Sequence, residues 1–66
     1  MPDASVIGQR LLMLRGDKPR GEVAKALDIT YSALSNYESG IWVPRDEVKV
    51  SLARYYGKTI EEIFFA

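Results

Sequence analysis

The 66-residue sequence contains no cysteine and no histidine. Their absence excludes disulfides, thiolate and imidazole metal ligands, a nucleophilic thiol and the usual general base. A glycine-rich loop that would hold phosphate groups is also missing. The acidic pairs Asp46 with Glu47 and Glu61 with Glu62 have no partner ligand at useful spacing, so they are interpreted as solvated helix starts. We therefore expect no enzyme, no metal site and no cofactor.

The sequence also lacks a net charge and a long apolar run. Nine Lys and Arg balance nine Asp and Glu, so a nucleic-acid-binding surface would require uneven placement of the charges. The apolar stretch 60–65 is interrupted by two glutamates, and residues 1–8 lack the pattern of a signal peptide. These features predict a soluble, cytoplasmic protein, nucleoid-associated if it binds DNA.

The length allows one domain over residues 1–66, with a core so small that helices must pack closely or two copies must associate. No segment alternates apolar and polar residues as a strand would, whereas apolar residues recur at spacings of three and four. The sequence therefore predicts an all-α fold.

Five short helices account for this spacing. They are predicted at 5–15, 19–27, 31–39, 45–56 and a short one from Thr59. Asp3 or Ser5 is expected to cap the first and Thr30 the third, while Gly40 ends the third in a left-handed conformation. The residues expected to face inward are Ile7, Leu11, Leu14, Val23, Ala24, Leu27, Leu34, Tyr37, Val48, Leu52, Ala53, Tyr56, Ile60, Ile63 and Phe64.

The connection between the second and third helices is the most informative feature. Only Asp28, Ile29 and Thr30 join them, and so short a connection makes two helices cross steeply in a helix-turn-helix. Small Ala24 permits the close approach at the crossing. Residues 20–40 read RGEVAKALDITYSALSNYESG.

This segment resembles the helix-turn-helix of the Cro and phage repressor (XRE) family. Val23 and Ala24 stand where the family has a Leu-Ala pair, and residues 27–30 match the turn. Residues 38–40 match the Glu-x-Gly with which the family's motif ends. The similarity continues through Pro44, Ala53, Tyr56, Gly57, Thr59, Ile60, Glu61, Ile63 and Phe64. It covers nearly the whole chain and implies a compact five-helix, lambda-repressor-like domain.

Three departures from the family pattern are visible. Arg20 stands where the family often has Gln, and the connection after Arg15 is about two residues shorter than usual. Asp28 stands where the family usually has Gly, so Asp28 has to adopt a left-handed conformation.

The resemblance implies that the third helix enters the DNA major groove and that groups near it hold phosphates. Asn36 is suited to pair bidentately with adenine. The candidates for base contact are Tyr31, Ser32, Ser35 and Asn36, of which Tyr31 could contact either a phosphate or a thymine methyl. The candidates for phosphate contact are Arg20, Arg45, Lys18, Lys25 and Ala33, although the methyl group of Ala33 could instead meet a thymine methyl. For Arg20 and Arg45 the alternative is a surface charge that contacts only solvent or forms an intramolecular ion pair.

Other residues are assigned to structure or assembly. Arg15 and Glu38 match a family ion pair that bridges the fold, and the aromatic residues at core spacing are interpreted as packing. The apolar loop residues Ile41, Trp42 and Val43 are expected to be covered by a second copy in a homodimer, with Phe65 and the fifth helix as a competing contact surface. The alternative is that Trp42 folds back onto its own domain.

Together these features predict a sequence-specific transcriptional regulator that binds double-stranded DNA, as a homodimer on a palindromic operator. No small-molecule substrate or membrane partner is indicated. The alternative is a protein-interaction module, or an antitoxin-like regulator, that kept the fold with little or no DNA binding; the zero net charge favours it.

Overall fold

The computed structural model describes residues 2–66, and these residues form helices and connecting turns with no strand. The helices are α1 (Ala4–Arg15), α2 (Arg20–Ala26), α3 (Tyr31–Glu38), α4 (Asp46–Tyr56) and a short π-helical segment, α5 (Glu61–Phe65). The predicted all-α fold is confirmed, with helix ends that coincide with the predicted ones or differ by at most two residues. The π geometry of α5 was not predicted. No helix within this range has the length and apolar character needed to cross a membrane.

Local side-chain chemistry sets where the helices begin. The Asp3 carboxylate accepts a hydrogen bond from the N–H of Val6 at 3.0 Å, so Asp3 and not Ser5 caps α1. The Thr30 hydroxyl accepts from the N–H of Ala33 at 3.0 Å at the start of α3. Before α5, Thr59 and Glu62 cap each other reciprocally at 2.9 and 3.0 Å. Glu62 is exposed, as expected for a solvated helix start, and it also caps α5.

The core lies where the five helices meet. Its residues are Ile7, Leu11, Val23, Ala24, Leu34, Tyr37, Val48, Leu52, Ala53, Ile63 and Phe64, all of them predicted to face inward. The remaining predicted core residues, Leu14, Leu27, Tyr56 and Ile60, are partly buried at its edge.

Close backbone contact joins α1 to α3. A Cβ atom on Gly8 would lie only 2.5 Å from the carbonyl oxygen of Glu38, so no larger residue fits this crossing without displacement. Gly40 follows α3 with a φ of 78°, and a Cβ there would lie 2.9 Å from Cα of Ser5. α1 thus packs closely against the C-terminal end of α3.

The turn between α2 and α3 has the conformation that the sequence requires. Asp28 has a φ of 56° and is the one non-glycine residue among 2–66 with positive φ. The N–H of Asp28 donates to the carbonyl of Lys25 at 3.1 Å, and that of Ile29 donates to the carbonyl of Ala24 at 3.0 Å. The chain therefore reverses within three residues and α3 crosses α2 as a helix-turn-helix.

Candidate nucleic-acid interface

The four candidates for base contact lie on one outward face of α3. Tyr31 and Ser32, in the first turn, are exposed, and Tyr31 retains 56% of its accessible surface. Ser35 and Asn36 lie one turn further along and are half-buried, so both still reach solvent. The opposite face of α3 is buried against the core. α3 therefore presents hydroxyl and amide groups to solvent while its other face packs against the core.

The phosphate candidates differ in their surroundings. Arg45 occupies the N-cap position of α4 without a side-chain capping hydrogen bond, and its side chain is 77% exposed and lies 3.9 Å from the Glu47 carboxylate. Lys25 is exposed in the last turn of α2. The ammonium group of Lys18 lies 5.0 Å from the centre of the Tyr55 ring, a cation–π contact.

An open groove of about 470 Å³ adjoins the first turn of α3. Ala33 and Arg45 both line it, so the fold brings these two candidates together, whereas Lys18 and Lys25 do not contribute to it. The full lining is Asp28, Ile29, Thr30, Ala33, Tyr37, Arg45 and Val48.

A buried carboxylate binds two arginines beside this interface. The Glu38 side chain is 1% exposed; its Oε2 accepts from Nε of Arg15 at 2.8 Å and its Oε1 accepts from Nε of Arg20 at 2.7 Å. The structure therefore contains the ion pair between Arg15 and Glu38 that the resemblance implies. Two guanidinium groups around one carboxylate leave one net positive charge in the cluster.

The sequence left an intramolecular ion pair open for Arg20 but did not identify Glu38 as its partner. Nη1 of Arg20 also donates to the Tyr31 hydroxyl at 3.3 Å, and its guanidinium carbon lies 5.6 Å from the centre of the Tyr31 ring. The hydrogen bond to Glu38, and secondarily that to Tyr31, raises the pKa of Arg20 above its usual value, so the guanidinium stays charged. The sequence signal that could have indicated this ion pair is the arginine at position 20, where the family often has glutamine. Phosphate contact by Arg20 stays a prediction.

The hydroxyl of Tyr56 is a second feature that the sequence did not reveal. Its oxygen is buried and has no hydrogen-bond partner among the described residues. Burial, followed by the nearby charge of Glu38, raises the pKa of Tyr56 to about 12. Tyr56 therefore packs at the core edge, as expected, but with an unsatisfied polar atom.

The apolar loop after α3 is partly covered by its own chain. The Trp42 ring lies 6.3 Å from that of Tyr37, while Trp42 remains 50% and Ile41 67% exposed. The N–H groups of both loop residues donate to the carbonyl of Asn36, which fixes the loop against the end of α3. At the other candidate contact surface, Phe65 is 45% exposed, with the ammonium group of Lys49 5.2 Å from its ring centre.

A comparison with protein-family models identifies the class to which this geometry belongs. The model described as a helix-turn-helix domain matches residues 6–63. The protein therefore belongs to this helix-turn-helix family of DNA-binding regulator domains, which is non-enzymatic. The resemblance inferred from residues 20–40 is confirmed.

Two solved structures show the same fold. The SOS-response transcriptional repressor LexA from Eubacterium rectale superposes with a TM-score of 0.87 at 19% identity, over 92% of this chain and 67% of that one. The clp gene regulator ClgR from Corynebacterium glutamicum superposes with a TM-score of 0.81 at 24% identity, over 91% of this chain and 66% of that one. This chain thus spans about two thirds of the length of each. A search of curated proteins finds no match.

Proposed function

We propose that the protein is a sequence-specific transcriptional regulator that inserts α3 into the major groove of double-stranded DNA. The observation that carries this proposal is the outward polar face of α3, which belongs to a helix-turn-helix braced from behind by α1. A major groove about 12 Å wide admits one α-helix, and hydrogen-bonding side chains on its outer face meet base edges.

The exposed side chains divide into two roles. Tyr31, Ser32, Ser35 and Asn36 read bases, and the amide of Asn36 is the group whose donor and acceptor match N7 and N6 of adenine. Arg45 and Lys25 hold phosphates, with Lys18 and Arg20 as further donors and Ala33 in contact with the backbone or a thymine methyl. The groove that Ala33 and Arg45 share supports their acting on the same stretch of DNA.

The proposal includes binding as a homodimer to a palindromic operator. One copy presents one α3, which covers only a few base pairs, and two copies related by a two-fold axis read half-sites about 34 Å apart. The half-exposed Trp42, with Ile41, and the exposed Phe65 support this because each offers apolar surface that a second copy would cover.

Selection of bound duplexes from a random pool tests the function directly. We expect the recovered sequences to share two inverted half-sites. Asn36→Ala should lose the preference for one A·T pair in each half-site, at a cost of about 1–3 kcal/mol.

Salt dependence tests the phosphate contacts. Arg45→Ala should weaken binding to all duplexes equally and lower the salt slope by about 1. Arg54→Ala is the matched control, since Arg54 is an exposed arginine near the other end of α4. If the wild-type protein shows no salt-sensitive affinity for any duplex, the proposal is contradicted.

One observation favours a second candidate function, a protein-interaction module or antitoxin-like regulator. The exposed loop Ile41, Trp42 and Val43 lies in a chain with no net charge, so contact with another protein would bury apolar surface at little electrostatic cost. Such a protein would bind duplexes weakly or not at all, so the same selection should recover no shared half-site.

A further inference from the structure

A continuous set of polar contacts runs from the protein interior to the first residue of α3. We propose that Glu38 is a positioning residue which, through Arg20, commits the Tyr31 hydroxyl to donate its hydrogen bond to an acceptor atom on a DNA base. The inference rests on the proposed function and specifies what Tyr31 recognises.

The first step is the fixed orientation of Arg20. Both oxygens of Glu38 are occupied by guanidinium Nε groups, at 2.7 and 2.8 Å, and the carboxylate is buried. Rotation of the carboxylate would break at least one of these charge-assisted hydrogen bonds. The stacking of Arg20 over the Tyr31 ring, at 5.6 Å, holds the guanidinium group from its other side.

The second step concerns the direction of the hydrogen bond at Tyr31. A guanidinium group only donates, so at the 3.3 Å contact the phenolic oxygen must accept. The adjacent positive charge makes that oxygen a poorer acceptor for a second donor and its O–H a better donor. Since Tyr31 is 56% exposed, this proton is free to face DNA.

The third step is the base code. Guanine, adenine and thymine each present an acceptor in the major groove, whereas cytosine presents only its amino donor. A Tyr31 hydroxyl committed to donating therefore disfavours cytosine at the base that it contacts. The arrangement excludes one base at this position and leaves the choice among the other three to the neighbouring side chains.

The chain contains its own matched control. Arg15 binds the same carboxylate through the same atom type, but the structure gives it no contact with Tyr31. Arg15→Lys and Arg20→Lys both disturb the buried pair and retain a positive charge. Loss of a merely structural ion pair would affect DNA recognition alike in both variants.

The experiment measures dissociation constants on the duplex selected by the wild type and on all its single-base variants. For the wild type we expect cytosine at one position of the half-site to weaken binding roughly tenfold, the range of one good base contact. Tyr31→Phe should lose this discrimination. Arg20→Lys and Glu38→Gln should reduce it several-fold but add nothing when combined with Tyr31→Phe, and Arg15→Lys should preserve it.

Nuclear magnetic resonance of the free protein supplies a second measurement. The carbon shift of Tyr31 Cζ should move in Arg20→Lys and Glu38→Gln and stay unchanged in Arg15→Lys. If Glu38→Gln fails to fold, Arg20→Lys and Tyr31→Phe decide the matter.

Four outcomes overturn the inference: a wild type that tolerates cytosine everywhere, full discrimination in Arg20→Lys, an equal loss in Arg15→Lys, or a uniform loss over all sequences in Tyr31→Phe. Selective duplex binding with any of these outcomes leaves the proposed function intact, whereas absence of duplex binding refutes the function itself.

Discussion

Glu38 keeps its carboxylate almost entirely out of water because two guanidinium groups replace the lost solvent. Glu38→Ala would leave Arg15 and Arg20, both mostly buried, without a counter-charge. We expect a loss of about 2–4 kcal/mol in the free energy of unfolding, a large share of the stability of a small domain. Urea denaturation monitored by circular dichroism measures it. The control is Glu47→Ala, whose carboxylate is 85% exposed; equal effects would show that burial does not matter here.

The Tyr56 hydroxyl should lower stability, because it is desolvated without a partner. Tyr56→Phe is expected to raise the free energy of unfolding at neutral pH by about 1 kcal/mol. The pKa of Tyr56 is about 12 in the folded protein against 10.0 for a free tyrosine, so the unfolded state loses this proton first. Wild-type stability should therefore fall as the pH rises from about 10 to about 12.

Denaturation of both proteins across this alkaline range tests the assignment. The Tyr56→Phe variant should show a shallower decline, since one fewer shifted tyrosine titrates. Parallel curves for the two proteins would show that folding does not raise the pKa of Tyr56, as expected of a hydroxyl that reaches water.

We expect opposite effects of alanine at two helical glycines, Gly8 at the crossing of α1 with α3 and Gly21 in α2. Alanine favours a helix interior by up to about 1 kcal/mol over glycine. At Gly21 the added Cβ would meet only a Tyr31 side-chain carbon at 3.9 Å, so Gly21→Ala should stabilise the protein. At Gly8 it would lie 2.5 Å from a backbone oxygen, so Gly8→Ala should cost about 1–3 kcal/mol despite the better propensity. Thermal melting compares them, and a shift of the same sign in both would be the contrary result.

The helices themselves were predictable because their signals are local. Thr30 caps α3 as its side chain predicts, and Asp28 adopts the left-handed conformation that the resemblance implies. The need for Gly8 was not visible, since propensity alone marks a glycine in a helix as a weakness. The bond between Arg20 and Glu38 joins residues 18 apart in sequence, on two different helices, and depends on how those helices pack. Local patterns carry no such information.

Across the molecule, the candidate interface and the net charge must be considered together. Arg45 and Lys25 are exposed, but acidic Glu22, Asp46 and Glu47 lie on the same helices, α2 and α4. A neutral chain gains little from long-range attraction to DNA, so the proposed function relies on local phosphate contacts and on the proposed pairing of two copies for its affinity. The oligomeric state is therefore central to the proposed function.

Trp42 provides the sharpest test of that cooperation. If a second copy covers the exposed half of its ring, Trp42→Ser should weaken binding to the full palindromic duplex about tenfold, the effect of an ordinary interface anchor. Binding to an isolated half-site should not change, because one copy suffices there. Fluorescence anisotropy on the two duplexes, with sedimentation to count the bound copies, separates these effects.

Met13→Ser is the control for the Trp42 substitution, since Met13 is 83% exposed on α1 and outside the loop. Equal losses on both duplexes would place Trp42 against DNA or in the fold rather than between copies. Full affinity in Trp42→Ser together with a selective loss in Phe65→Ser would assign the contact to α5, because Phe65 presents the competing apolar surface.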